Sequence, residues 1–359
     1  MKRINPLDGL RAFAAFGVIW IHAWGFCGNP VLKFFSIDFY KLIAIVGNGV
    51  DFFFVISGFC MYLMIDKHLS TVSKYFHFLN KRFFRIAPAF FASVIVYAAI
   101  IKTQHPAFQF WYNVFFHFLF LNNVVTGNTI SGPFWSIGVE WHFYMILPLV
   151  LLLGKKITMI NAVFLLSIIS LSFFFFINTN QLNVLWWENQ ILTRFPEFGC
   201  GIIAAICYLG GRKIPGFLMG LPGLLVGFIV MYLGRLMMFT PFLLNAGNLG
   251  FISKTLSYTI MTAGFGFIMY HVITLPSMLS RILSTRVLTY LGRISYSIYL
   301  WHSLAFIILW PFLTRLNFGS WTPLFVFAAV GMLTVFIAHF SYKLLESFYF
   351  KRPVVYATR

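Results

Sequence analysis

The chain has 359 residues, of which 60% are apolar and only 9% charged, with a mean hydropathy of +0.86. Soluble domains carry roughly 25% charged residues, so this composition excludes a soluble fold and reads as an all-α polytopic membrane protein, a single transmembrane domain over 1–359. The net charge of +18 calls for no nucleic-acid partner, because much of it is explained by membrane topology and by contact with anionic membrane lipids.

Apolar segments fall at about 7–27, 45–65, 83–101, 138–154, 158–177, 196–210, 217–234, 257–276, 295–313 and 322–342, which predicts about ten transmembrane helices. No small-x-small cleavage site follows the first segment, so it is expected to be retained as a span. The stretch 102–137 reads as a loop with a short re-entrant helix.

With the N-terminus in the cytoplasm, the inner segments and helix ends collect Lys2, Arg3, Arg11, Lys67, Lys74, Lys81, Arg82, Arg85, Lys155, Lys156, Arg212, Lys213, Arg281, Arg286, Arg293, Lys343, Lys351, Arg352 and Arg359. These are 19 of the 26 basic residues, and 7 remain outside. The positive-inside rule therefore predicts an even number of spans with both termini cytoplasmic.

In the first helix, Leu7-Asp8-Gly9-Leu10-Arg11 is followed by an apolar run to His22. Eleven residues make about three helical turns, so Arg11 and His22 share a face and stand about 16 Å apart along the axis. Asp8 and Arg11 also fit an interfacial cap, and His22 fits a helix-to-helix hydrogen bond. An imidazole in that column can, however, take a proton from a hydroxyl near neutral pH.

The second helix opens Val50-Asp51-Phe52-Phe53-Phe54, where Asp51 is expected at the outer end, orienting His22, binding an acceptor hydroxyl, or simply capping. Ser57 and Gly58 read as packing residues. Arg82 and Arg85, three apart at the inner start of the third helix, share a face and form a guanidinium fork suited to phosphate oxygens; a topogenic basic cluster explains the same charge.

The densest run is Gly132-Pro133-Phe134-Trp135-Ser136-Ile137-Gly138-Val139-Glu140-Trp141-His142-Phe143-Tyr144. Glu140 is a candidate for positioning the acceptor or tuning His22. Trp135, Ser136, Trp141 and Tyr144 are candidate substrate-binding residues, with interfacial belt packing as the simpler account of the aromatics. Glu197 at the start of the sixth helix is a further substrate-binding candidate, or a partner for Arg194. Tyr299 and His302 share a side of the ninth helix and are candidates for lining a donor tunnel.

Cys27, Cys60, Cys200 and Cys207 lack metal-like spacing, and so do His68, His77, His105, His117, His271 and His339, so no metal site is expected.

Taken together these motifs resemble acyltransferase family 3, the integral-membrane O-acyltransferases of bacteria. The family's Arg, ten residues and His pattern falls on Arg11 and His22, its Arg-x-x-Arg on Arg82 and Arg85, and its Trp-Ser-x-x-x-Glu on Trp135, Ser136 and Glu140. The runs at 51–59 and 292–297 extend the likeness along nearly the whole chain.

The resemblance implies an enzyme of the bacterial inner membrane. Its expected donor is cytoplasmic acetyl-CoA or another acyl-CoA. Its expected acceptor is a surface glycan or lipid-linked glycan such as lipopolysaccharide O-antigen or exopolysaccharide. His22 would be the catalytic base, with Asp51 and Glu140 supporting it, and Arg11, Arg82 and Arg85 would hold the donor phosphates. Some members carry a periplasmic hydrolase-like domain, and its lack here favours direct transfer within the membrane unit. A homodimer stays open. A transporter or flippase is the alternative reading; it explains ten helices and buried charge but not an Arg fork below a deeper His, and no inverted halves are evident.

Overall fold

A computed structural model describes residues 3–34, 37–65, 72–125, 130–239 and 248–350; Lys2, Lys67, His68, Lys351, Arg352 and Arg359 lie outside them. The fold is all-helical. The one strand pairing among the described residues is the short ladder of Lys33–Phe34 with Ile37–Asp38.

The helices run in the order α1 (Asn5–Phe26), α2 (Gly49–Ile65), α3 (Val72–Gln104), α4 (Phe110–Phe118), α5 (Trp135–Ile157), α6 (Met159–Thr179), α7 (Ile191–Leu209), α8 (Leu221–Phe239), α9 (Asn248–Thr274), α10 (Met278–Leu283), α11 (Arg286–Arg293), α12 (Ser295–Leu313) and α13 (Thr322–Ser341). Among the described residues, nine helices are long and apolar enough to cross a membrane, and Gly49–Met64 is a shorter apolar helix. Each of the ten apolar segments of the sequence thus contains a helix, with nine of these helices, among the described residues, meeting the full length of a span.

The outer surface is inverted relative to a soluble protein. Leu149, Met332 and Phe336 stand exposed, whereas Asp51, Arg194, Glu197, His302 and Glu346 are buried. Water cannot satisfy polar groups in hydrocarbon, so the polar side chains turn inward and pair with one another.

Small residues set the closest helix approaches. A Cβ at Gly58 would lie 2.1 Å from the Phe198 carbonyl oxygen, and one at Gly201 would lie 2.0 Å from that of Val55, so α2 and α7 cross backbone to backbone. The same device clamps the N-terminal start of α1. A Cβ at Gly9 would meet the Leu283 carbonyl at 2.2 Å, which ties α10 to this helix.

Pro6 sits in the first turn of α1 and Asp8 faces its positive N-terminal end, both favourable there. The third helix reaches well beyond the apolar stretch that marks it, starting at Val72 and carrying Lys74, Lys81, Arg82 and Arg85 on its polar inner half. Helix α4 supplies the short helix expected within 102–137. After α13 the backbone widens into a π-helical turn, Tyr342–Glu346.

Candidate active site

Helix α1 is unbroken from Asn5 to Phe26, so Arg11 and His22 keep their common face and their axial separation of about 16 Å. His22 Nδ1 lies 2.7 Å from the Val18 carbonyl oxygen. A carbonyl only accepts, so Nδ1 carries the proton and Nε2 keeps its lone pair. The ring is exposed, and its centroid is 5.0 Å from that of His302.

His302, on α12, is buried and uses the same device, with Nδ1 2.6 Å from the Tyr299 carbonyl. The Tyr299 hydroxyl is 2.7 Å from Ser136 Oγ and donates to the Pro133 carbonyl. Thus the Trp-Ser segment at the start of α5 and the Tyr-rich α12 are joined beside His22.

Arg11 points the other way along α1. Its Nη1 reaches Asp8 Oδ1 at 3.2 Å and its Nη2 reaches Cys60 Sγ at 3.1 Å. Arg82 Nη2 lies 2.8 Å from Met64 Sδ, its guanidinium sits 5.6 Å from the Phe78 ring centre, and its buried Nε has no hydrogen-bond partner. Cys60 and Met64, the partners of Arg11 and Arg82, both lie on α2. Arg11 and Arg82, distant in the chain, therefore converge on the C-terminal half of α2.

Glu140 accepts from Ser57 Oγ at 3.0 Å and from the Tyr144 hydroxyl. Ser57, read from the sequence as a packing residue, is thus also a polar member of the interior column.

Asp51 lies elsewhere. Its Oδ1 accepts from Arg194 Nη1 at 3.0 Å and its Oδ2 from Asn48 Nδ2 at 2.7 Å. The same Arg194 nitrogen reaches Glu197 Oε1 at 2.9 Å, while the guanidinium stacks 3.9 Å from the Tyr258 ring centre and 5.2 Å from that of Trp135. Asn48 in turn accepts from Arg235. Asp51, Arg194 and Glu197 form one buried ion cluster, and a Cβ at Gly49, just before Asp51, would lie 2.0 Å from the Ala14 carbonyl, so α2 starts beside the middle of α1 rather than at its outer end.

Trp141 stacks on Phe120 with centroids 4.7 Å apart, within an aromatic cluster that also holds Phe83. The five residues flagged for substrate binding consequently occupy separate surroundings: Ser136 beside Tyr299, Tyr144 on Glu140, Trp135 and Glu197 around Arg194, and Trp141 among phenylalanines.

Arg85 is committed to an acid that sequence reasoning missed. Its Nη1 pairs with Glu346 Oε2 at 2.6 Å, and its guanidinium lies 5.2 Å from the Tyr296 ring centre.

With this geometry in place, comparison with known proteins defines the class. An acyltransferase-domain family profile matches residues 4–341, and the chain belongs to that family of membrane acyltransferases. A candidate O-acetyltransferase of Staphylococcus aureus (strain COL) is 27% identical over 97% of this chain and 57% of its own length. The peptidoglycan O-acetyltransferase OatA of Listeria monocytogenes is 25% identical over 96% of this chain and 56% of its own. A candidate acetyltransferase of Acidianus two-tailed virus is 26% identical over 84% of both. The chain thus spans little more than half the length of the two bacterial relatives. No solved structure matches it. Family and helices together make it a multi-pass protein of the bacterial inner membrane, of transferase type.

Proposed function

We propose that the chain transfers an acyl group, acetyl in the first instance, from cytoplasmic acyl-CoA to a hydroxyl of a surface glycan. The observation that carries this reading is the polarity of α1: a guanidinium near its inner end and, about 16 Å further out, an exposed imidazole whose Nδ1 alone is committed.

Arg82, with Arg11 and Arg85 nearby, meets the donor phosphates, and the thioester is carried up the column toward His22. His22 Nε2 takes the acceptor hydroxyl proton as the oxygen attacks the thioester carbonyl. Collapse of the tetrahedral intermediate breaks the C–S bond, and the proton passes from His22 to the leaving thiolate, giving an ester and free CoA. Holding both reactants on one path supplies the proximity contribution. Tyr299, Ser136 and His302 border the reaction space, and Glu140 with Tyr144 provides hydroxyl-recognising groups. Lipopolysaccharide O-antigen, exopolysaccharide and peptidoglycan are the acceptors to test, the last by analogy with the Listeria relative's name.

Sealed inverted and right-side-out vesicles with labelled acetyl-CoA test the scheme. Label is expected in ester linkage to glycan on the periplasmic side, with donor accepted only from the cytoplasmic face. Equal use of donor from the outer face, or glycan flux with no release of CoA thiol, would refute it; the second result belongs to a transporter.

A further inference from the structure

Glu346 belongs to none of the motifs, yet it is among the most deeply buried acids of the chain, with 2% of its surface exposed. Both oxygens are engaged: Oε2 by Arg85 Nη1 at 2.6 Å and Oε1 by Ser297 Oγ at 2.5 Å. Ser297 Oγ is itself 2.9 Å from Ser341 Oγ. The carboxylate is presented by the π-helical turn Tyr342–Glu346, and π turns inside α-helices recur at functional sites. Next to the pair, Tyr296 donates to the Ile86 carbonyl at 3.0 Å, and its ring centre lies 5.2 Å from the Arg85 guanidinium. One acid thus ties α3, α12 and the end of α13 together at the second arginine of the Arg-x-x-Arg motif.

We infer that Glu346 is a positioning residue of the donor site, fixing the Arg85 guanidinium in place before acyl-CoA arrives. The inference rests on the donor reading above. A latch, in which donor phosphate pulls Arg85 away, is the competing arrangement. Removing one partner of a buried ion pair strands the other charge in a medium that cannot solvate it, and among the described residues Arg85 is the one cation paired with Glu346. The pair therefore stays made, and its role is preorganisation: an arginine held in one orientation loses less entropy on binding phosphate than a free one.

The test measures CoA affinity and thermal unfolding together on protein reconstituted in nanodiscs. Glu346→Asp retains the charge and shortens the reach; Glu346→Gln retains the shape and removes the charge. Each is expected to raise the Kd for CoA about tenfold, as loss of preorganisation does, with insertion retained. The double swap of Arg85→Glu with Glu346→Arg restores an ion pair but moves the guanidinium, so the Kd is expected to stay high. Wild-type affinity in folded Glu346→Asp, or recovery of affinity by the swap, would overturn the inference, since a purely structural pair is rescued by inversion. If the single variants do not fold, Glu346→Gln is placed in an Arg85→Lys background, where it is expected to change the Kd no further because Glu346 acts through Arg85; a further weakening there would overturn the inference. Absence of CoA binding by the unaltered chain is a distinct result, which removes the donor reading itself.

Discussion

Replacing His22 by alanine separates chemistry from architecture in this protein. The imidazole makes one hydrogen bond, to the Val18 carbonyl of its own helix, and packs its ring against His302. Alanine is the best helix former, and the position is exposed, so the fold loses under about 1 kcal/mol. The turnover cost is of another size. A positioned general base contributes about 10²–10⁴-fold, equivalent to roughly 2.7–5.5 kcal/mol of transition-state free energy. CoA affinity should hold, because Arg11 and Arg82 lie at the far end of the column.

The assay is release of CoA thiol coupled to ester formation on isolated surface glycan, with CoA binding and thermal unfolding measured on the same preparation. The expected pattern is kcat down at least about 100-fold with Kd and melting temperature near wild type. A variant that keeps turnover within about tenfold of wild type while properly inserted would refute the assignment of His22 as base. Loss of CoA binding in parallel would instead place the imidazole in the donor tunnel.

Two further outcomes follow from the charge arrangement. Arg194→Gln leaves Asp51 and Glu197 buried without their shared cation and should destabilise the protein by about 3–5 kcal/mol. Glu197→Gln removes the less satisfied of the two acids, whose Oε2 has no partner, and should cost clearly less; equal losses in thermal unfolding would contradict this account. Arg82→Lys preserves the inner positive charge but not the planar fork, so CoA binding should weaken about tenfold at unchanged melting temperature, and unchanged affinity by calorimetry would remove Arg82 from the donor site.

The architecture was legible because lipid imposes a simple requirement: about 20 apolar residues per span, with basic residues collected at the cytoplasmic ends. Helix ends were less so. Hydropathy stops at about residue 83 in the third helix, but the backbone stays helical back to Val72, because Lys74, Lys81 and Arg82 extend a polar helix past the hydrocarbon. Within one helix, side-chain relations could also be read, as with Arg11 and His22. Partners across the fold could not. Arg194 meets Asp51 over a separation of 143 residues, and Arg85 meets Glu346 over 261. Periodicity says which face a residue takes, and it is silent on which helix lies opposite. The sequence accordingly offered Asp51 to His22, whereas Arg194 and Asn48 hold both of its oxygens.

The pairing of acids sharpens the roles further. Seven of the eight acidic residues lie among the described residues, Asp66 being outside them; Asp8, Asp51, Glu188, Glu197 and Glu346 make ion pairs with Arg3, Arg11, Arg194, Lys254 or Arg85, and Asp38 accepts from the Tyr40 backbone. Glu140 differs, since it accepts from the hydroxyls of Ser57 and Tyr144. Arg82 rests on a thioether and an aromatic ring, with no carboxylate at ion-pair distance among the described residues. A charge kept in a membrane interior without a counter-charge is costly unless something else satisfies it. For Glu140 the Ser57 and Tyr144 hydroxyls do so, and on the proposed reading the donor phosphate does so for Arg82. Arg85, already neutralised by Glu346, then acts as the fixed side of the fork and Arg82 as the side that closes on the donor.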